Sequence, residues 1–380
     1  MRIAMKLVLP FLAMGLAVPG AAQSPASYYV AASGSDERNS GLGEDIPFRT
    51  LRKAVDTAAA GDVRRIILLG NLSGGPWVFN YRGEGEILIT GDSGVPGRER
   101  AFISIQVQLF GRFRFENLEV VEDSVVRLID GTLYLGDGFR SRGSTILVDG
   151  GTLEMTGDAE VSDGSIGVTV RNRGALIVRG NARIHTNDYA GIRAEGGSVV
   201  LEENAAVSGN KRCGVDTSAD AKNSRPCSLT LRGGASITGN GGPSAPLGGG
   251  ILIGPSVSYG GGLVRNVVNM EGGSITGNEA QRGGGVFNRG GTFNMTGGTI
   301  SGNRADYGGG LYTRMETPAG AQSRGGGADV CTLSGGRITG NTARLRGGGV
   351  FVGQGAAFTQ GKVRITGNTG EKGGNNVDRQ

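Results

Sequence analysis

Aliphatic residues recur along this chain at a regular spacing, and the repeat is clearest in its second half. The segment GGSITGN at 272–278 returns as GGTISGN at 297–303 and as GGRITGN at 335–341, with looser copies at 233–240 and 362–368. Each copy places an isoleucine before a Ser or Thr, and Gly-Asn follows. Because strand side chains alternate between two faces, the pattern predicts a short strand with the isoleucine inward and a glycine turn after it.

Two further hydrophobic elements accompany each copy. A third inward aliphatic residue follows the Asn turn, and a pair of inward residues precedes the motif. These pairs are Leu153/Met155, Leu176/Val178, Val199/Leu201, Leu229/Leu231, Val268/Met270, Phe293/Met295 and Cys331/Leu333. Three short strands per repeat predict an all-β fold, a right-handed single-stranded parallel β-helix over residues 63–369 with roughly a dozen coils. In this register Cys331 is a buried, unreactive thiol.

The Asn residues of the repeat have a structural interpretation. Asn240, Asn278, Asn303 and Asn341 occupy the same position in successive coils. Stacked Asn side chains in parallel, in-register sheets form hydrogen-bonded ladders. We therefore expect these four residues to line one corner of the solenoid and to play no catalytic role.

The ends of the solenoid differ in sequence. Open rungs need to be covered, because unpaired strand edges associate with other chains. Residues 23–62 contain a strand and an amphipathic segment that predicts a capping helix after Pro47. The apolar face of this helix is Phe48, Leu51, Val55 and Ala58. Residues 370–380 form a polar tail that contains no equivalent of this helix.

The N-terminal segment indicates an exported protein, and the charge pattern bears on its partners. Residues 1–22 read as a signal peptide, with Arg2 and Lys6 before an apolar segment and small residues at its end. We expect secretion across the inner membrane, to the periplasm, the cell surface or the medium. The formal net charge is +5, but the basic residues are scattered, so nucleic-acid binding is not expected. The mature chain has no segment apolar enough for a transmembrane helix.

Two parts of the sequence resemble known bacterial proteins. The opening Tyr29 to Asp36, followed by Pro47 to Ala54, resembles the N-terminal cap of secreted right-handed parallel β-helix proteins. The units at 272–287 and 297–312 are similar to the repeats of polymorphic outer-membrane proteins and related adhesin-like surface proteins. The resemblance implies a surface or extracellular context, and it implies no particular activity because this fold carries both enzymes and binding proteins.

One outward position gives a weak catalytic candidate. The residues after the inward aliphatic form a polar stripe, which consists of Ser162, His185, Ser208, Thr238, Thr276, Ser301, Thr339 and Thr366. His185 is the only histidine of the chain, and an exposed histidine can act as a general base near neutral pH. We expect no carboxylate cluster around it, no calcium site and no cofactor, so a variant rung of the stripe is the favoured interpretation.

Three insertions give the candidate binding residues. The connection after the third inward element is short at 288–291, whereas it is expanded at 216–227, 254–266 and 313–329. Insertions at one position of a solenoid emerge on one edge, so these loops should flank a notch at the short rung. Their aromatic, Arg and Met residues suit a glycan or protein ligand, and with one residue at the base of the third loop they are Tyr259, Arg265, Tyr312, Arg314, Met315 and Arg324. A disulfide between Cys213 and Cys227 would close the first loop.

These features favour one function and leave one alternative. We expect a monomeric rod that binds a glycan or a cell-surface protein through the loops. The alternative is a polysaccharide lyase or a glycoside hydrolase with its site on the outer face of the coils before residue 215, near His185. Convergence of three or more charged side chains in one groove would favour the enzyme.

Overall fold

The fold is a parallel β-helix, as the sequence predicts. The computed structural model describes residues 26–91, 100–218, 225–257, 263–314 and 330–380. In these ranges 33 strands form one continuous sheet, and strands of successive coils pair in parallel. Each coil contributes three short strands, which build three faces along the rod.

The first face contains the predicted inward pairs. Its strands, which we call face 1, are Ser27–Val30, Arg65–Leu68, Ile87–Thr90, the ends of Ala101–Glu116 and Val125–Leu135, Thr152–Met155, Ala175–Val178, Ser198–Leu201, Ser228–Leu231, Val267–Met270, Thr292–Met295, Val330–Leu333 and Ala357–Gln360. Leu153 pairs with Leu176, and Phe293 pairs with Cys331. Cys331 is fully buried, which confirms its predicted inward position.

The other two faces follow in chain order. Face 2 contains the start of Ala101–Glu116, Leu118–Val120, Arg140–Arg142, Glu160–Ser162, Arg183–His185, Ala206–Ser208, Ser236–Thr238, Ser274–Thr276, Thr299–Ser301, Arg337–Thr339 and Arg364–Thr366. Face 3 contains Leu72–Asn80, the middle of Ala101–Glu116, the start of Val125–Leu135, Thr145–Asp149, Ile166–Arg171, Ala190–Glu195, Cys213–Asp216, Ile251–Ile253, Val286–Asn288, Leu311–Thr313, Val350–Val352 and Val377–Arg379. The aliphatic side chains of all three faces meet in one buried core along the axis.

The corner between faces 2 and 3 carries a ladder of asparagines, and we call it the Asn corner. From Asn187 to Asn341, each Nδ2 donates to the Oδ1 of the Asn in the next coil at 2.7–3.0 Å, and Asn368 Nδ2 donates to Asn376 Oδ1 of its own coil at 3.1 Å. The four predicted members are present and buried, and the ladder extends beyond them. Its members are Asn187, Asn210, Asn240, Asn278, Asn303, Asn341, Asn368 and Asn376.

Two smaller sheets lie outside the three faces. The strands Arg304–Tyr307, Thr342–Arg346 and Thr369–Gly370 pair in parallel outside the Asn corner. The strands Pro255–Val257 and Leu263–Arg265 form an antiparallel hairpin within the second predicted loop. Both elements add polar backbone at the surface without interrupting the three faces.

A helix covers the first coils, as predicted. It spans Leu51–Ala60, and its buried residues are Leu51, Ala54, Val55 and Ala58. Thr50 is the N-cap, because its side chain accepts a hydrogen bond from the Lys53 N–H. The Asp36 carboxylate also fixes this turn, since it accepts hydrogen bonds from the Arg49 and Thr50 N–H groups at 2.8 and 3.0 Å. No helix in the described residues is long and apolar enough to cross a membrane.

The C-terminal residues differ from the expected polar tail. Residues 377–379 pair with 350–352, so face 3 continues beyond residue 370. Arg346 fixes this strand with a two-pronged ion pair to Asp378, both contacts at 2.7 Å. This strand could not be recognised from the hydrophobic pattern, because only Val377 in it is apolar.

Candidate functional site

The three insertions leave the rod at the corner between faces 3 and 1, which we call the loop corner. Each follows a face 3 strand and precedes a face 1 strand, so their bases lie on one edge, as predicted. Arg265 ends the hairpin, and Arg314 follows Leu311–Thr313. Of the other proposed loop residues, Tyr259, Met315 and Arg324 lie outside the described part of the chain.

Buried side chains fix the bases of these loops. The Asn266 carboxamide donates to the carbonyls of Thr217 and Gly254, and its Oδ1 accepts the Cys227 N–H at 2.8 Å. Asn288 does the same at the short rung, where its Oδ1 accepts the Gly291 N–H at 3.1 Å. Because buried polar groups need partners, these amides fix the backbone at the bases of the loops.

Tyr312 lies in an outward aromatic row on face 3. Its ring centroid is 5.0 Å from that of Phe287 and 4.9 Å from that of Phe351, and Tyr307 packs on Phe351. Only 6% of Tyr312 is exposed. The ring therefore shapes the base of the third loop and offers little surface for a ligand to stack on.

A cavity of about 190 Å³, which we call the face-3 cavity, crosses face 3 beside this row. Its floor is Asp216 and Leu252, and its lining is completed by Tyr189, Arg212, Cys213, Ser218, Pro246, Leu247 and Arg289. Arg289 belongs to the short rung and Ser218 to the base of the first loop, so the cavity reaches the loop corner. Sequence reasoning located this region through its loops but did not identify Tyr189, Arg212 or Arg289.

Polar contacts preorganise the face-3 cavity. The Arg212 guanidinium lies 5.0 Å from the centre of the Tyr189 ring. The Tyr189 hydroxyl donates to Asp216 Oδ2 at 3.4 Å, and Asp216 Oδ1 accepts the Ser218 N–H at 2.8 Å. Burial, and then the Asp216 carboxylate, raise the pKa of Tyr189, so its hydroxyl remains a donor at neutral pH. The cavity thus offers a cation, a buried carboxylate and an aromatic ring within one surface.

The two cysteines proposed as a disulfide are both free and buried in this structure. The Cys213 thiol donates to the Val215 carbonyl at 3.2 Å, whereas the Cys227 thiol donates to the Ala194 carbonyl at 3.0 Å. Burial raises the pKa of both thiols, which keeps them protonated and unreactive.

His185 faces outward on face 2, as predicted, but it is not isolated. Its Nε2 lies 3.0 Å from Glu160 Oε1, and the other Glu160 oxygen lies 2.8 Å from Arg183 and 3.4 Å from Arg140. We expected no carboxylate cluster around His185, and the structure places one carboxylate, that of Glu160, against its ring. Burial raises the pKa of Glu160, but the His185 hydrogen bond and the nearby positive charges outweigh it, so this pKa is lowered.

Thr186 completes this group. Its hydroxyl contacts His185 Nδ1, and its backbone φ is 55°. Equivalent positions in later coils are glycines with positive φ, such as Gly209 and Gly239. A β-branched residue is strained in this conformation, and such strain occurs most often at functional sites. Glu160 and Thr186 thus contact the two ring nitrogens of His185, and the pair lies outside the face-3 cavity.

A second flank cavity lies outside the Asn corner and is called the Asn-corner cavity. It measures about 250 Å³. Its lining is Pro243, Glu279, Ala280, Gln281, Arg304, Ala305, Asp306, Thr342, Arg344 and Glu371. Arg344 and Asp306 form an ion pair at 2.8 Å across it. This site was not predicted, because its charged residues lie between the face 2 and face 3 strands, in segments that the repeat pattern treats as spacers.

A third cavity, of about 510 Å³, opens near the N-terminal cap between Arg49 and Phe102. Its polar lining residues already make structural hydrogen bonds, since Thr50 caps the helix and the Asn71 side chain accepts the Phe102 N–H at 3.1 Å.

Within the described ranges no cluster of three or more His, Cys, Asp or Glu residues could hold a metal ion. No protein-family model, curated protein or solved structure matches this chain.

Proposed function

We propose that this protein is an exported β-helix that binds a glycan on its face 3 flank. The observation that carries the proposal is the face-3 cavity, where the exposed Arg212 guanidinium and the Tyr189 ring line one surface and the buried Asp216 carboxylate holds the Tyr189 hydroxyl. A guanidinium hydrogen-bonds to pairs of hydroxyls, and an aromatic ring covers the apolar face of a sugar. Three charged side chains meet in this cavity, the arrangement expected to favour an enzyme, but Asp216 is 1% exposed and its oxygens are engaged by Tyr189 and Ser218, so the cavity supports binding better.

The arrangement of backbone edges supports a glycan over an extended peptide. Peptides often bind by adding a strand to an open sheet edge. In this rod the strands of one coil pair with those of the coils before and after it, so the flank around residues 189–289 offers no open edge of the main sheet. The flank instead presents side chains and loops.

The same proposal includes the location of the protein and the role of its loops. The predicted signal peptide and the resemblance to polymorphic outer-membrane-protein repeats support export and an adhesin-like role at the cell surface. The loops at 216–227, 254–266 and 313–329 extend from the loop corner, and the first and second have residues at the wall of the cavity or close to it. We assign them the role of selecting among ligands.

A glycan array with the mature chain tests this function. We expect binding to at least one glycan and at least a tenfold weaker Kd for Arg212→Ala, since this side chain is exposed and its loss leaves the core unchanged. Arg337→Ala is the matched control, because Arg337 is an exposed arginine on face 2. Failure of the wild-type chain to bind any glycan would contradict the proposal.

The loops need a separate variant. Replacing residues 315–329 by a short Gly-rich connection like that at 289–291 should preserve the circular dichroism spectrum and change the set of glycans bound. An unchanged glycan profile would mean that the third loop takes no part in selection.

The Glu160–His185 pair favours a second candidate, a polysaccharide lyase or a glycoside hydrolase. A carboxylate that holds one imidazole nitrogen orients the ring, which a histidine general base needs. Arg183 is half exposed beside it and could bind an acidic sugar. The site occupies an open face, whereas hydrolases enclose two carboxyl groups about 5–9 Å apart.

Product release from the same array tests the enzyme. If the chain is a lyase or hydrolase, it releases oligosaccharides, and both His185→Ala and Glu160→Gln reduce the rate at least a hundredfold. Turnover at the wild-type rate in His185→Ala would rule out this site. Release of no product from acidic and neutral polysaccharides, with binding preserved, would leave the binding function alone.

A further inference from the structure

The two flank cavities are neighbours along the rod. Pro246 and Leu247 line the face-3 cavity, and Pro243 of the same connection lines the Asn-corner cavity. The coils that contribute to them follow one another without a gap, from the coil of Tyr189 to the coil of Glu371. At a rung spacing of about 4.8 Å, the six steps between these coils span about 29 Å.

The size of the cavities points to a shared ligand. The face-3 cavity alone, at about 190 Å³, is smaller than the 300–1,000 Å³ that is usual for ligand sites. The two cavities together reach this range. A single short sugar would fill one cavity and leave the other without a role.

The charges of this surface are balanced. The two cavities contain as many arginines as carboxylates, and the two signs are mixed along the axis. The residues are Arg212, Arg289, Arg304 and Arg344 with Asp216, Glu279, Asp306 and Glu371. A polyanion would meet the partly or fully exposed carboxylates of Glu279, Asp306 and Glu371, and a polycation would meet four guanidinium groups, so like-charge contacts disfavour both. An uncharged, hydroxyl-rich chain hydrogen-bonds with either sign.

We infer that the ligand is an extended, uncharged polysaccharide that lies parallel to the rod axis and occupies both cavities. The Asn-corner cavity is then a second subsite of the same binding surface, with Arg344, Asp306 and Gln281 as hydrogen-bonding groups. This inference rests on the glycan-binding function proposed above, and it names the class of ligand and its direction.

The test uses the mature chain and glycans of graded length. The probes are partial hydrolysates of neutral glucans, mannans, xylans and galactans of two to ten sugars, with pectin, alginate and heparin as polyanionic probes. We expect binding to a neutral series, with Kd falling at least tenfold between three and eight sugars. Arg344→Ala should remove most of this gain and leave the affinity for the trimer unchanged, whereas Arg212→Ala weakens both.

The outcomes test the second subsite, the uncharged ligand and glycan binding separately. Kd that stays constant beyond three sugars, or a wild-type length dependence in Arg344→Ala, overturns the second subsite while glycan binding stands. Selective binding of the polyanions, with affinity that falls steeply as salt rises, overturns the uncharged ligand. Binding of no probe overturns both the inference and the proposed function. Arg337→Ala, on face 2 of the coil that carries Arg344, should behave as wild type throughout.

Discussion

At the scale of single residues, each amide of the Asn corner makes several of the hydrogen bonds that join one coil to the next. Asn278 Nδ2 donates to Asn303 Oδ1 and to the Ile237 carbonyl, both at 3.0 Å. Its Oδ1 accepts the backbone and side-chain N–H groups of Asn240 at 2.9 Å. Each amide therefore connects its own coil with the coils on both sides.

Asn278→Ala should reduce the free energy of unfolding by about 2–3 kcal/mol, because buried groups of Asn240, Ile237 and Asn303 lose their partners. Thr276→Ala, two residues earlier and partly exposed, should stay within about 0.5 kcal/mol of wild type. Urea unfolding of both variants measures the difference. Equal destabilisation by the two would show that the ladder adds nothing beyond the strand pairing.

Asp149 gives the acid dependence of stability. Its carboxylate accepts hydrogen bonds at 2.9 Å from Arg171 and from Arg127, and these contacts, above all those of Arg171, hold its pKa well below the usual range against the effect of burial. A depressed folded-state pKa stabilises the fold above the unfolded pKa of about 3.9, and this stabilisation is lost as pH falls through the folded value.

Asp149→Asn should therefore cost about 2–4 kcal/mol at pH 7, where it leaves two arginines without their carboxylate. Between pH 5 and pH 3 the difference in the free energy of unfolding between wild type and Asp149→Asn should decrease by about 1 kcal/mol, because only the wild type has a carboxylate whose protonation destabilises the fold. Urea midpoints at the two pH values measure this change. A gap that is independent of pH would contradict the assignment.

Thr186 separates a structural interpretation from a functional one. Thr186→Gly should stabilise the fold by about 1 kcal/mol, because glycine adopts positive φ without the steric cost of a β-branched side chain. The readout is the thermal midpoint, with Thr238→Gly, in a strand, as the control that should destabilise. A loss of stability in Thr186→Gly would mean that the His185 contact outweighs the strain.

At the scale of elements, the strands of each face could be predicted from the sequence, whereas the contacts between their outward side chains could not. The inward residues repeat in every coil, so the pairing of Ile237 with Ile275 follows from periodicity alone. Glu160 and His185 meet because their strands are neighbours in adjacent coils, but the repeat motif does not include the outward position of Glu160. The cavities depend on turn lengths, which vary between coils and carry no period.

The capping helix is the element with the clearest role. Val55 is 1% exposed and lies over the first coils, so Val55→Asp should detach the helix and expose the edge of the first rung. We expect concentration-dependent association in size-exclusion chromatography with light scattering. Asp56→Asn, on the exposed side of the same helix, should remain monodisperse. A monodisperse Val55→Asp protein would show that the edge needs no cover.

At the scale of the whole molecule, the rod is a sum of coils that contact only their neighbours. The coil of Asn278 and the coil of Asn303 are offset by 25 residues, and the connection at their loop corner is the short one. Such a coil can be removed without changing the contacts of any distant part.

Deleting residues 275–299, which joins Ser274 to Ile300, should yield a folded protein with a thermal midpoint within a few degrees of wild type. Deleting residues 275–300 removes one residue more, and a shift of one residue places the inward side chains on the outer face. That second variant should be insoluble or unfolded. Circular dichroism and chromatography distinguish the two, and equal behaviour would contradict the register.

The stacking of coils also determines how the rod responds to tension. A chain pulled from its two ends does not lose its core all at once, since each coil is held by its own strand pairs and, from Asn187 onward, by an Asn contact. The coils release in turn, and a coil of 25 residues yields a length on the order of 80–90 Å of extended chain. A rod built in this way lengthens in steps under tension, and the coils that have not yet released stay folded.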